Sequence, residues 1–410
     1  MGNSIYPVPS AGASYSSQPP ASASSVLLDG QLVTASSIST TVTGTGAPWL
    51  LYANGGGTTT ITIAGTPYTV PAGSTVGTSA YTGSQSVSVA SSSFATTAPT
   101  SFTASTLPNT SYWNSVAYGK GYFVAVASYT TTNAYSTDGI TWNTSTMPSS
   151  PVWTAVTYGN GYFVAVANGS TSAAYSTNGT TWTASTMPSA VNWYGAAYGL
   201  VGATPTYVAV AGYGSTPTPT SSAASSTNGT TWTARTMPSS ENWISVTYGN
   251  GTFVAVSRNG STNGSAYSTN GTTWTASSLG TNTYLSIAYG NGLFVTVQNN
   301  NTMWYSPDGI TWNASSMPSS QLFLTIAYGN GYFVAIGSLS TIGAYSANGT
   351  TWTALTMPNS SGWSSATYGN GKFVVISGGI IMGSSNAAAY FTQLALPVAY
   401  GIYNGATVRA

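Results

Sequence analysis

The sequence contains no cysteine and no histidine, and very few charged residues. Without cysteine the chain can form neither a disulfide bond nor a thiolate metal site, and histidine, the commonest metal ligand and proton shuttle, is also missing. Five basic and four acidic residues among 410 give a net charge of +1. We therefore expect no cofactor and no metal. Calcium at Asp138 or Asp308 would find only one carboxylate per turn, which is poor ligation for a hard cation.

The scarcity of charge also restricts the partners. Five basic residues spread along the chain cannot supply the clustered phosphate contacts of a nucleic-acid-binding protein, so no nucleic acid is expected. No stretch approaches the roughly eighteen apolar residues of a membrane span, so no membrane insertion is expected either. A surface of Ser, Thr, Asn, Gly and Tyr creates little repulsion between copies. This composition favours assembly with other subunits, including a homo-oligomer.

What the chain does contain is a repeat of about forty residues. One half of the repeat reads Trp113-Asn-Ser-Val-Ala-Tyr-Gly-Lys-Gly-Tyr-Phe-Val-Ala-Val126. Its counterparts begin at Trp153, Trp193, Trp243, Tyr284, Phe323 and Trp363. Successive starts lie 39 to 41 residues apart, except for an interval of 50 between the third and fourth copies. Self-similarity at a fixed period indicates an architecture of repeated structural units.

Each repeat predicts four antiparallel strands. Apolar and aromatic residues alternate with Ser, Thr and Ala over short runs bounded by Gly and Asn, and no helical stripe is visible. Tyr158-Gly-Asn-Gly-Tyr162 is a hairpin signal, because Asn-Gly tolerates the positive φ angles of a tight turn. Thr177-Asn-Gly-Thr180 has the same chemistry. Two hairpins make one propeller blade, so the sequence predicts an all-β, seven-bladed β-propeller.

The last repeat begins at Trp363 but has no second Asn-Gly turn and no Thr-Trp strand. Far upstream, Phe102-Thr-Ala-Ser-Thr-Leu-Pro108 matches Trp182-Thr-Ala-Ser-Thr-Met-Pro188, which is a fourth strand. A ring of sheets must also avoid an unpaired edge. We therefore predict that residues near 100 to 107 complete the last blade, with Phe102 close to Phe391.

The second half of the repeat, Ser136-Thr-Asp-Gly-Ile-Thr-Trp142, resembles the Asp-box or bacterial-neuraminidase repeat, one residue shorter than that family's usual motif. The resemblance covers about residues 98 to 392 and implies structural turns on the outer rim. The turn residues it implies are Asp138, Asn178, Asn228, Asn270, Asp308 and Asn348. Asn and Asp both bond to their own backbone in such turns. The repeats also resemble those of phage virion proteins.

Outside the propeller, assigned to residues 96–393, three further segments are predicted. Residues 1–25 are a low-complexity arm or linker, because they contain little apolar material to bury. Residues 26–95 contain short strand candidates and predict a small β domain for virion attachment or self-association; the alternative is a packing cap on the propeller. Residues 394–410 are predicted to be a C-terminal tail.

A binding face is predicted where the repeats differ most, in the loops between second and third strands and in the connections between blades. The candidate ligand-binding residues there are Tyr213, Glu241, Arg258, Asn259, Asn299, Asn301 and Trp304. Amides and aromatic faces suit a sugar ring, so recognition of a host surface polysaccharide is expected. The alternatives are that these loops are merely solvated and that Trp304 packs against Met303 or a neighbouring blade.

Catalysis is not expected, because glycoside hydrolysis normally needs two flanking carboxylates and the acidic residues here are few and scattered. The start of the sequence also lacks the pattern of a secretory signal peptide. The sequence thus predicts a phage virion appendage protein of the tail-fibre or receptor-binding type, located in the virion with other virion proteins as partners. The alternative is a structural decoration or surface-lattice protein without an external ligand.

Overall fold

The computed structural model describes residues 25–28, 31–34, 39–54, 59–64, 66–70, 75–89, 99, 102–212, 220–258, 263–277, 279–299, 302–319, 321–337, 340–358, 360, 362–377, 388–393 and 399–404. The chain divides into two compact units: residues 1–97 with 394–410, and residues 98–393. The described residues are strands, turns and loops. They include no helix of the length and apolarity needed to cross a membrane.

The first unit is a β structure. Its strands are β1 (Ser25–Leu28), β2 (Gln31–Thr34), β3 (Ser39–Asn54), β4 (Thr59–Ile63), β5 (Thr66–Val70), β6 (Thr75–Val89) and β33 (Ala399–Asn404). β1 and β2 form a hairpin, and the other five strands form one sheet in the order β33-β3-β6-β4-β5. The short apolar runs between residues 26 and 95 are therefore strands.

The C-terminal segment differs from the predicted tail. β33 pairs antiparallel with β3, from Trp49 opposite Asn404 to Asn54 opposite Ala399. The other edge of β3 pairs with β6, so β33 covers an edge that would otherwise present unpaired backbone groups. The first unit thus draws strands from both sides of the repeat region in sequence.

The second unit consists of seven four-stranded blades, numbered in chain order. The strands of blades 1 to 3 are β8 (Tyr112–Gly119), β9 (Tyr122–Ser128), β10 (Thr132–Ser136), β11 (Asn143–Thr146), β12 (Val152–Gly159), β13 (Tyr162–Asn168), β14 (Ser170–Ser176), β15 (Thr183–Val201), β16 (Thr204–Gly212), β17 (Thr220–Ser226) and the start of β18 (Thr233–Gly249). The strands of blades 4 to 7 are the remainder of β18, β19 (Thr252–Arg258), β20 (Ser265–Ser268), β21 (Thr275–Ala276), β22 (Tyr284–Gly290), β23 (Leu293–Gln298), β24 (Thr302–Ser306), β25 (Asn313–Ser316), β26 (Phe323–Gly329), β27 (Tyr332–Gly337), β28 (Ile342–Ser346), β29 (Thr353–Thr356), β30 (Trp363–Gly369), β31 (Lys372–Ser377), β32 (Ala388–Gln393) and β7 (Thr103–Thr106).

Closure of the last blade follows the prediction. Its sheet has the order β30-β31-β32-β7, and Phe391 pairs with Thr103, the residue after Phe102. Phe102 is buried. Hydrogen bonds then join blade 7 to blade 1: Lys372 Nζ donates to the carbonyl of Asp138 at 2.9 Å. The strand from before the first repeat therefore completes the sheet of the seventh.

Two strands are longer than the repeat predicts. β15 serves as the fourth strand of blade 2 and the first strand of blade 3, and β18 does the same for blades 3 and 4. The reason lies in the third strands, which extend far enough to pair with the connecting segment: Ser170 lies opposite Val191, and Thr220 lies opposite Glu241. These connections are thus ordered strand where a loop was expected.

The turn between first and second strands has the predicted geometry. Gly159 pairs with Tyr162, which leaves a two-residue loop. In that loop Asn160 has a φ angle of 43° and Gly161 one of 81°. Two successive positive φ angles define the primed turn that matches the twist of a hairpin.

The core lies between neighbouring blades. The aromatic residues that open the repeats, such as Trp153 and Trp243, have no exposed surface. Trp182, directly before the fourth strand of blade 2, packs in one cluster with Val124 and Val126 of blade 1. Burial of apolar surface between successive sheets therefore holds the blades together without disulfides and with hardly any charge.

Candidate functional site

Every blade carries a β-bulge directly after the aromatic residue of its first strand. In blade 1 the pairing with the second strand passes from Trp113 to Ser115 and skips Asn114. The bulged residues of blades 1 to 7 are Asn114, Thr154, Tyr194, Ile244, Leu285, Leu324 and Ser364. A bulge re-aims a side chain and is often found beside a functional site.

All seven bulged residues line one cavity of about 410 Å³. The residues that follow them also line it and are small, including Ser115, Ala155 and Gly195. The cavity is therefore enclosed by the first strands of all seven blades. Val152, Asn168 and Arg258 line it as well, and they lie where first strands begin and second strands end. This is the end that carries the loops between second and third strands.

The bulged residues divide the cavity wall into two halves. Blades 4, 5 and 6 contribute Ile244, Leu285 and Leu324, which are apolar. Blades 7, 1, 2 and 3 contribute Ser364, Asn114, Thr154 and Tyr194, which are polar. All seven side chains are half-buried. The bulged side chains therefore place three adjacent apolar residues opposite four adjacent polar ones.

Some of these polar groups also join adjacent blades. Ser364 Oγ donates to the carbonyl of Trp113 at 2.7 Å, and Asn114 Nδ2 donates to the carbonyl of Trp153. One position further on, Ser115 Oγ accepts the backbone N–H of Val156 at 3.1 Å. These contacts fix the positions of the bulged side chains relative to one another, which is a requirement for a preorganised site.

A polar cluster lies at the end of the cavity formed by blades 2, 3 and 4. Asn168 Nδ2 donates to the Tyr194 hydroxyl at 3.1 Å. Burial raises the pKa of Tyr194 above its ordinary value, although the Asn168 hydrogen bond and the positive charge of Arg258 oppose this. Asn242, which pairs with Arg258 in the sheet, also lines the cavity. The cluster therefore combines a guanidinium, a neutral phenol and two amides.

Of the predicted ligand-binding residues, Arg258 lines the cavity and Glu241 does not. Glu241 is 1% exposed and accepts the backbone N–H of Asn263 at 3.3 Å, so it joins the connection between blades 3 and 4 to the following loop. The two side chains are close in the fold because Asn242, next to Glu241, pairs with Arg258. Of these two side chains, Arg258 is thus the one placed to meet a ligand in the cavity.

The other candidates are not gathered at one place. Asn299 is exposed just after β23, and its backbone N–H donates to the carbonyl of Thr283. Trp304 lies on β24, packs against the core cluster between blades 4 and 5, and donates its indole N–H to Gln298 at 2.7 Å. These contacts match the alternative in which Trp304 packs against a neighbouring blade. Tyr213, Asn259 and Asn301 lie outside the described residues.

The six predicted turn residues share one structural arrangement. Asp138 Oδ1 accepts the backbone N–H groups of Ile140 and Thr141, each at 2.8 Å, and the Ser136 hydroxyl at 2.9 Å. The same contacts recur at Asn178, Asn228, Asn270, Asp308 and Asn348. Each side chain is therefore occupied by its own turn. The described residues contain no group of three or more acidic, His or Cys residues that could hold a metal ion.

The sequence carries a signal for the cavity that lies outside the variable loops. In each repeat an aromatic residue is followed by a residue that varies between copies, and then by a small residue. The free position reads Asn, Thr, Tyr, Ile, Leu, Leu and Ser around the ring. A variable residue inside an otherwise repeated strand is a candidate for ligand contact, just as a variable loop is. Asn114 and Tyr194 stand at that position, whereas Asn168 lies at the end of a second strand and is not marked by it.

Solved structures with the same fold have unrelated sequences. A streptogramin B lyase structure matches with a TM-score of 0.60 and 12% identity, covering 71% of this chain and 97% of that one. A catalytically inactive virginiamycin B lyase from Staphylococcus aureus with quinupristin matches with a TM-score of 0.61 and 11% identity, over 71% and 99% of the two chains. YCF48 from Cyanidioschyzon merolae matches with a TM-score of 0.53 and 13% identity, over 72% and 98%. The fold is that of a β-propeller. No protein-family model and no curated protein sequence matches the chain.

One prediction is corrected by these matches. The expectation that the protein is not an enzyme was wrong, because the same propeller fold belongs to a lyase. A scarcity of carboxylates counts against glycoside hydrolysis alone, and other reaction classes do not need two carboxylates. At 11 to 12% identity the likeness shows the fold and does not carry the lyase reaction to this chain.

Proposed function

We propose that this protein is a phage virion appendage of the tail-fibre or receptor-binding type, and that its propeller binds a host surface saccharide in the cavity enclosed by the first strands. The observation that carries the binding proposal is the ring of seven bulged side chains, which all line one cavity and include six residue types. A volume of about 410 Å³ falls within the range of small-molecule sites, about 300–1,000 Å³. The Asp-box-like turns then serve as supports for the ring.

A saccharide fits the two-sided wall of the cavity. A sugar ring has hydroxyl groups that pair with amides and hydroxyls, and C–H faces that pack on apolar side chains. Asn114, Asn168 and Tyr194 supply the first kind of contact, and Leu285 and Leu324 supply the second. The assignment to a virion is supported by the sequence, since nine charged residues among 410 leave little repulsion between packed subunits.

Binding of the full chain to an array of host-surface oligosaccharides, followed by calorimetry, tests the proposal. Tyr194→Phe removes one hydroxyl from the cavity and should weaken binding about fivefold, the value of a typical hydrogen bond. Tyr175→Phe is the matched control, because Tyr175 packs against Tyr162 away from the cavity and should bind as the wild type does.

Other outcomes would redirect the proposal. If Asn299→Ala abolished binding and Tyr194→Phe did not, the loops would be the site. If the folded protein bound no saccharide, the structural alternative, a virion decoration or lattice protein, would take its place. Mass spectrometry of the recovered saccharide shows whether the protein also changes it chemically.

A further inference from the structure

The charge inside the cavity is the basis for a more specific inference. Among the described residues that line the cavity, Arg258 is the one that is charged. It is the last residue of β19 and is half-buried. A guanidinium in a partly desolvated position interacts with an anion far more strongly than a surface lysine does, because less water screens it and its fork of donors matches an acid group.

The shape of blade 3 brings this arginine next to other donors. Asn168, Gly212 and Arg258 occupy equivalent positions at the ends of the second strands of blades 2, 3 and 4. Gly212 has no side chain between the other two, and Tyr194, the largest bulged residue, belongs to the same blade. The Tyr194 hydroxyl accepts a hydrogen bond from Asn168, and the positive charge of Arg258 acts to lower the pKa of Tyr194. An amide, a phenol and a guanidinium are thus contributed by the successive blades 2, 3 and 4.

Gly212 has a second role in the cluster. A Cβ atom at this position would overlap with Asn242 Oδ1, so the absence of a side chain allows Asn242 to lie against blade 3. Asn242 is buried, and it pairs with Arg258 across the sheet. The residue opposite Arg258 in the sheet of blade 4 therefore also packs against blade 3.

We propose that the cavity selects an acidic saccharide, whose carboxylate or sulfate group pairs with Arg258 while Asn168 and Tyr194 contact the adjoining hydroxyls. This inference rests on the proposed saccharide binding and specifies its ligand class. The apolar wall formed by Ile244, Leu285 and Leu324 receives the C–H face of the sugar. Charge selects the acid group, and the two-sided wall orients the ring.

Matched ligands test the charge directly. Oligogalacturonate and its methyl ester have the same backbone, but only the first carries carboxylates, and an array of acidic glycans paired with their carboxyl-reduced forms extends the comparison. Wild-type protein should bind acidic members at least tenfold more tightly than their neutral partners, and the difference should shrink as salt is raised. Arg258→Gln should remove most of that preference.

Two controls separate charge at this site from general effects. Arg235→Gln makes the same chemical change on β18, where Arg235 Nε donates to Ser225 Oγ outside the cavity, and should keep the preference. Tyr194→Phe should weaken acidic and neutral ligands alike. Thermal unfolding of each variant shows that it is folded.

The results that overturn the inference are distinct from those that overturn the function. Equal binding of acidic and neutral partners removes the acidic ligand, and an unchanged preference in folded Arg258→Gln removes Arg258 as the group that recognises it; both results leave saccharide binding intact. If the folded wild type binds no glycan of either kind, both the acidic ligand and the proposed function are wrong.

Discussion

The phenol ring of Tyr118 in blade 1 occupies the space that a side chain on Gly369 in blade 7 would need. The same relationship joins every other pair of neighbouring blades. The pairs are Tyr158 on Gly119, Tyr198 on Gly159, Tyr248 on Gly199, Tyr289 on Gly249, Tyr328 on Gly290 and Tyr368 on Gly329. Each Tyr-Gly dipeptide therefore contacts the blade before it with the tyrosine and the blade after it with the glycine, and the series closes on itself.

This contact predicts that a methyl group at the glycine destabilises the ring. In Gly159→Ala the new Cβ would overlap with the ring of Tyr198, which cannot move without disturbing the neighbouring blade. Overpacking of this kind typically lowers the free energy of unfolding by about 1–3 kcal/mol. Chemical denaturation of the variant and the wild type measures the difference.

A double-mutant cycle identifies the cause. With Tyr198→Ala in the background, Gly159→Ala should cost much less, because the clashing ring is absent. Equal costs in both backgrounds would mean that the glycine is needed for its backbone conformation and that the ring contact is irrelevant.

Closure by β7 can be tested with engineered cysteines, since the chain has none of its own. Ala104 lies opposite Tyr390, and Ser105 lies opposite Ala389. Adjacent antiparallel pairs alternate in spacing, so at least one of the two double-cysteine variants should form a disulfide on mild oxidation. The bond would stabilise the protein by up to about 5 kcal/mol, because it closes a very long loop.

Non-reducing electrophoresis and thermal unfolding report whether the bond forms. The matched control is a pair of cysteines at Ala104 and Gln393, which are out of register and should stay reduced. A disulfide in the control alone, or in none of the variants, would contradict the observed pairing.

The turns between third and fourth strands predict that Asp and Asn are interchangeable at position 138 and that alanine cannot replace them. Asp138→Asn should leave stability nearly unchanged, because Asn178 makes the same contacts in blade 2. Asp138→Ala leaves two backbone N–H groups without their acceptor and should lower the free energy of unfolding by about 1 kcal/mol. Denaturation curves at neutral pH distinguish the two, and a large loss in Asp138→Asn would show that the charge itself matters.

The two acidic turns predict a dependence of stability on pH. Burial alone would raise the pKa of Asp138, but hydrogen bonds from Thr141, Ile140 and Ser136 outweigh it and hold the pKa below its ordinary value; Asp308 behaves in the same way. A carboxylate whose pKa is lower in the folded than in the unfolded state stabilises the protein at pH values above the unfolded-state pKa of about 3.9. This stabilisation is lost as the pH falls through the folded-state pKa.

The variant with both Asp138→Asn and Asp308→Asn should therefore match the wild-type Tm at pH 7 and lose less of it on acidification below about pH 4. Thermal unfolding between pH 2 and pH 7 measures this. Identical acid profiles for the two proteins would exclude these carboxylates as the source of any acid sensitivity.

The turns, the repeat architecture and the closing strand could be predicted from the sequence, because they depend on local and periodic features. Asn160 and Gly161 adopt the positive φ angles that an Asn-Gly turn requires, because few other dipeptides accept them. The fourth strand missing after Trp363 and its match near Phe102 likewise predicted the pairing of β7 with β32, since an open sheet edge has to be covered. A forty-residue period with two hairpins per unit leaves few other architectures.

The amino-acid order by itself thus determined the blades, their turns and the strand that closes the ring, because these follow from backbone conformation and strand pairing over short, repeated segments. Only the tertiary structure decided which side chains meet. Asn168, Tyr194 and Arg258 belong to three blades, and their approach depends on bulges and on the missing side chain at Gly212. The pairing of β33 with β3 was likewise visible only in the fold, because a contact between distant segments depends on where the intervening ring returns the chain.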